Sequence, residues 1–94
     1  MHGLHGSAFR FVKNLTFGEN LPWILQLAEM GFDVWLGNNR GTNYSMSHKT
    51  LDPSKDPEYW NFTWEDMGKY DLPAMIDKIK DHSGYSKIFY IGKS

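Results

Sequence analysis

Lys87-Ile88-Phe89-Tyr90-Ile91-Gly92-Lys93-Ser94 is the stretch around which the chain is organised. Lys87–Ile91 is a short run of branched and aromatic residues, the composition of a buried strand. It leads directly into Gly92, Lys93 and Ser94. A strand that ends in Gly-x-Ser is the first half of a nucleophile elbow, the Gly-x-Ser-x-Gly turn that lifts a serine above a sheet. The turn is so sharp that a side chain two residues before the serine would crowd it, and Gly92 carries none. A phosphate-binding loop is excluded, because that motif requires a glycine where Lys87 stands and a helix after the serine. The Gly-x-Ser triplet is common by itself, so the upstream residues decide its meaning.

The chain has 94 residues, 40% hydrophobic and 16% aromatic, with a formal net charge of -1. That is material for one domain at most, with a modest core. No basic excess points to nucleic acid. Without cysteine there is neither a disulfide framework nor a thiolate metal site. No apolar stretch is long enough to span a bilayer, and the first residues lack the charged and apolar regions of a signal peptide.

His2-Gly3-Leu4-His5-Gly6-Ser7 has no period and reads as a loop. Asn20 is a good N-cap, and Pro22 suits the first turn of a helix whose apolar face is Ile24, Leu25, Leu27 and Ala28, with Gly31 as its stop. Phe32–Leu36 reads as a mostly buried strand and Gly37–Gly41 as a tight loop. From Thr42 to Asn61 the chain is polar, aromatic and broken by Pro53 and Pro57, an excursion over the surface. Thr63 and Asp66 resemble a capping pair for a second helix, with Met67, Leu72, Met75, Ile76 and Ile79 on its buried side. Pro73 requires this helix to kink or restart near Asp71, and Ser83-Gly84 ends it. The alternation predicts an α/β fold with parallel strands and helical crossovers.

Several segments together resemble the acid lipase family, the gastric and lysosomal lipases and fungal steryl ester hydrolases of the α/β-hydrolase fold. They are His2-Gly3-Leu4, the block Gly31–Gly41, the block Trp64–Asp77, and Tyr90-Ile91-Gly92-Lys93-Ser94. The resemblance implies that residues 1–94 form a partial α/β-hydrolase domain running from the oxyanion loop through strands 4 and 5 to half of the elbow. Strands 1–3, the cap and the C-terminal half would be missing. It implies Ser94 as the nucleophile that forms an acyl-enzyme, and the Leu4 backbone N–H as an oxyanion donor supported by His2 and Gly3. Such a contact is worth roughly 3 kcal/mol in comparable sites. Lys93 departs from the family pattern, where His is most common.

The implied activity is hydrolysis of neutral lipid esters (triacylglycerol, cholesteryl or steryl ester), with no cofactor, no metal and no nucleic acid. The whole enzyme would associate transiently with lipid surfaces in a lysosomal, secreted or lipid-droplet/endomembrane setting. In this fold the triad runs Ser, then Asp or Glu, then His. His2, His5, His48 and His82 all precede Ser94, so the chain alone is expected to be inactive. The alternative is a truncated, non-catalytic remnant that binds lipid or protein or is inert.

His2 is expected to brace the oxyanion turn, His5 to be solvated, and Arg40 to tie loops together through its donors. Trp23, Trp35, Trp60 and Trp64 are each expected in the core rather than in an acyl channel. Asn14, Asn43 and Asn61 head Asn-x-Ser/Thr sequons and are candidate glycosylation sites.

Overall fold

The computed structural model describes residues 1–13 and 21–94. The sequon at Asn14 and the cap expected at Asn20 lie outside these residues. A short 3₁₀ turn covers Ala8–Phe11, and helix α1 covers Trp23–Glu29. Pro22, not Asn20, holds the cap position of α1. A proline has no N–H to lose there, which is why it fits a helix start. At the other end, the Phe32 N–H donates to Leu27 O at 3.1 Å and the Gly31 N–H to Ala28 O at 3.0 Å. This is a Schellman stop, and Gly31 takes the left-handed backbone it needs, with φ +94°.

The second helical region is built in pieces. The Thr63 N–H donates to the Asp66 carboxylate at 2.8 Å, so the expected capping pair forms. Helix α2 spans only Trp64–Asp66 and passes into a π-turn, Met67–Asp71, before helix α3, Leu72–Ser83. Pro73 explains the wider turn: it cannot donate to the Lys69 carbonyl and its ring crowds that turn, so the backbone loosens and restarts. The restart falls at Asp71, as the sequence predicts. Met67, Leu72, Met75, Ile76 and Ile79 all lie on the half-buried side. Gly84, left-handed at φ +77°, donates to Lys80 O at 2.9 Å and closes α3.

The expected strands do not form. Phe32–Leu36 and Lys87–Ile91 carry no ladder, and among the described residues there is no β-strand. A strand exists only through its neighbour's N–H and C=O groups, and these two segments do not pair with each other. They touch instead through side chains, Phe32 against Phe89 edge-to-face at 6.4 Å. Trp35 meets His82 on the last turn of α3 at 5.2 Å.

One fragment of parallel pairing is present. The Met1 N–H group donates to Ile91 O, and the Lys93 N–H donates to Met1 O at 3.0 Å. A residue that donates to one side of Gly92 and accepts from the other has the spacing of a parallel bridge.

The excursion from Thr42 to Asn61 is not wholly superficial. Tyr59, in a 3₁₀ turn spanning Pro57–Trp60, is only 7% exposed and packs edge-on against His48, Trp60 and Phe62. The tryptophans run the other way. All four are substantially exposed, Trp64 most of all at 83%. The accessible surface is 7773 Å², against roughly 5,600 Å² for a self-contained folded chain of this mass. Apolar side chains such as Phe89 therefore stand open.

Gly41 holds the aromatic cluster to the preceding loop. It has φ +80°, and a Cβ there would lie 2.7 Å from Phe62 Cζ and 3.1 Å from Trp60 Cζ3. Gly31 has a similar backbone but open space around it. Gly31→Ala is expected to cost about 1 kcal/mol from backbone strain alone, and Gly41→Ala about 2–4 kcal/mol because overpacking adds. Urea unfolding of the protein that carries these residues checks this; equal losses would show that Phe62 does not confine Gly41.

Candidate active site

The bridge at Gly92 brings the two ends of the sequence motif together. A Cβ on Gly3 would lie 2.7 Å from Ser94 Cβ, 2.8 Å from the Lys93 carbonyl and 3.3 Å from Ser94 Oγ. The serine can approach only because residue 3 has no side chain. Ser94 itself has φ +69°, a left-handed backbone that costs a non-glycine residue about 1–2 kcal/mol. The ring of Tyr90 lies against Gly92, 3.1 Å from where a Cβ would stand.

The facing loop is a tight turn. The Gly6 N–H donates to Gly3 O at 3.0 Å, and His5, at the third position, has φ +55°. Leu4 has no positive φ, so the turn is of type II. His5 and Leu4 are both exposed, Leu4 at 74%, and among the described residues nothing accepts the Leu4 N–H.

His2 is the opposite case, buried to 7% exposure. Its Nδ1 lies 2.9 Å from Gly3 O, and the Asn39 N–H donates to its Nε2 at 3.2 Å. Because Nε2 accepts, the proton sits on Nδ1 and is donated to Gly3 O; the partners assign the neutral tautomer. The bracing role expected of His2 has a definite geometry.

The loop after the Phe32–Leu36 segment supplies the supports. The Ala8 N–H donates to Asn38 Oδ1 at 2.9 Å. The Arg40 N–H donates to Asp71 Oδ2 at 2.9 Å, and its Nε and guanidinium reach Asp71 Oδ1 at 2.8 and 2.7 Å. The hydrogen bond to Asp71 raises the guanidinium further above its ordinary value. The arginine also lies over the rings of Phe62 and Tyr70, at 5.8 and 6.0 Å. Arg40 does tie loops together, as its donors suggest. Asn38, Asn39 and Asp71 are not singled out as supports of the site by the sequence, which marks only the tight loop and the helix restart; two adjacent asparagines inside that loop are the available signal.

An open groove of about 600 Å³ borders Ser94, lined by Phe11, Trp23, Ile91 and Lys93 among others. Trp23 is therefore a wall residue rather than core. No side chain among the described residues hydrogen-bonds Ser94, His48 is engaged by the Thr50 and Leu51 N–H groups, and His82 packs on Trp35. Asn43 and Asn61 are both exposed. Among the described residues no cluster of ligand side chains is placed to hold a metal, and no helix is long and apolar enough to cross a membrane.

The family model of the alpha/beta hydrolase fold matches residues 1–94. Lipase member K of Mus musculus is 46% identical over 99% of this chain, which covers 22% of that protein. Lipase 1 of Drosophila melanogaster is 45% identical over 99% of the chain and 20% of its own length. Lysosomal acid lipase/cholesteryl ester hydrolase of Homo sapiens is 45% identical over 99% of the chain and 22% of its own length. The chain thus spans about a fifth of the length of the curated relatives it matches. With the family model matched from end to end, the chain belongs to the alpha/beta hydrolase fold family, and the relatives it resembles are lipases.

Proposed function

We propose that residues 1–94 supply the nucleophile and half of the oxyanion hole of a serine hydrolase acting on carboxylic esters of neutral lipids. The observation that carries this reading is the approach of Ser94, in a left-handed backbone, to the Gly3 turn. Ser94 Oγ attacks the ester carbonyl carbon while its proton passes to a base. The carbonyl oxygen becomes an oxyanion and takes a hydrogen bond from the Leu4 N–H. Collapse expels the alcohol, which leaves protonated, and forms the acyl-Ser94 ester; water then releases the acid by the reverse sequence. The groove beside Ser94, walled by Phe11, Trp23 and Ile91, suits an apolar acyl chain. Lys93 stands at its rim.

The chain spans about a fifth of its relatives' length; on this reading it is a partial domain, and its exposed apolar side chains are surface that the remainder of the hydrolase fold would cover. Purified 94-residue chain is expected to show no hydrolysis of a nitrophenyl ester above buffer. The protein carrying these residues within the rest of the fold should hydrolyse it, and Ser94→Ala should remove that activity. Undiminished activity in the alanine variant refutes the assignment; a protein inert in both forms supports the remnant reading.

The same reading places the segment in a secretory compartment, where Asn43 and Asn61, both exposed, carry N-linked glycans, as does Asn14. Asn61→Gln is expected to lower the mass of secreted protein by one glycan, and enzymatic deglycosylation should abolish the difference. Identical masses before deglycosylation would rule Asn61 out.

A further inference from the structure

We infer that Arg40 and Asp71 are positioning residues for the oxyanion donor, acting through Asn39 and His2. The inference rests on the reading of Leu4 as that donor. The link is the planarity of one peptide bond. Gly3 C=O and Leu4 N–H belong to the same trans peptide unit and point in opposite directions. Whatever fixes the carbonyl also aims the N–H. Here the carbonyl is held twice, by the Gly6 N–H at 3.0 Å within the turn and by His2 Nδ1 at 2.9 Å from outside it.

The turn bond alone moves with the loop. The His2 bond ties the peptide to the rest of the molecule, because Nε2 of the same ring is held by the Asn39 N–H. An imidazole bonded at both nitrogens has neither rotational freedom nor a free choice of tautomer.

Asn39 is in turn held from both sides. Its carbonyl accepts from Thr42 Oγ1 at 2.9 Å and from the Thr42 N–H at 3.3 Å. The next residue, Arg40, is locked to one carboxylate through its backbone N–H, Nε and guanidinium. Asp71 is itself only 12% exposed and sits at the junction where the π-turn meets α3. A continuous series of short contacts therefore runs from the start of α3 to the Leu4 N–H: Asp71, Arg40, Asn39, His2, Gly3. Loss of the fork at Asp71 lets the Asn39 N–H drift from Nε2, frees the imidazole, and releases the Gly3–Leu4 peptide from the bond that His2 supplies from outside the turn.

The test is a double-mutant cycle in the protein that carries the segment, read with a soluble nitrophenyl ester. Asp71→Asn keeps the shape but weakens the fork. His2→Phe keeps the ring's bulk and removes both hydrogen bonds of the imidazole. Each single variant is expected to lower kcat roughly tenfold with KM within about twofold, and the double variant to be no slower than His2→Phe alone. Multiplying losses, or an Asp71→Asn enzyme with unchanged kcat, would overturn the relay. Arg40→Lys, which keeps the charge but not the fork, replaces Asp71→Asn if the latter does not fold.

A second readout needs no activity. Nitrogen-15 spectra of ring-labelled protein should show His2 as the Nδ1–H tautomer, mixed with the other form in Asp71→Asn. An Nε2–H tautomer in the unaltered protein overturns the relay regardless of esterase activity. Absence of Ser94-dependent hydrolysis with the expected tautomer and its shift in Asp71→Asn instead overturns the role of Leu4, and the positioning claim with it, while leaving the contacts intact.

Discussion

The orientation of a single peptide unit, Gly3–Leu4, is the constraint on which this structure turns. A carbonyl that accepts from both His2 and the Gly6 N–H cannot rotate without losing one of them, and a lost bond at a buried group costs about 1–3 kcal/mol. The same peptide must lie close enough to Ser94 that residue 3 has no room for a Cβ. Fixed direction and close approach are what an oxyanion donor requires, since a preorganised N–H does not have to reorient as charge develops.

The surrounding elements make sense as supports for that unit. The bridge at Gly92 sets the height of Ser94 relative to the turn. The Asn38–Gly41 loop holds the turn from behind, through Ala8 and His2. The π-turn forced ahead of Pro73 delivers Asp71 to Arg40, and Phe62 and Tyr70 enclose the arginine. Features that look like irregularities of a helix and a surface loop thus converge on one loop.

What was legible in the sequence was local. The stop at Gly31, the Thr63–Asp66 cap, the restart at Asp71 and the end at Gly84 each depend on residues within a few positions, and all appear. Gly92, Ser94 and His2-Gly3-Leu4, singled out as motif positions, lie together in the structure, Gly3 against Ser94. Failures were non-local. Phe32–Leu36 and Lys87–Ile91 have strand composition, but a ladder needs a partner that composition does not reveal. Tyr59 is buried because His48, Trp60 and Phe62 fold against it, and all four tryptophans stand substantially exposed, which their size alone does not reveal. Pro22 at the cap of α1 shows that a boundary can sit a residue or two from the best capping side chain.

The most direct measurement is covalent labelling of the protein that carries this segment with a fluorophosphonate, followed by tryptic mapping. A serine poised for attack beside an oxyanion donor reacts irreversibly with such a reagent. The adduct is expected on the peptide that begins at Ser94, and Gly3→Ala should suppress it by crowding the serine. An adduct on another serine, or none in an otherwise active protein, would contradict the account.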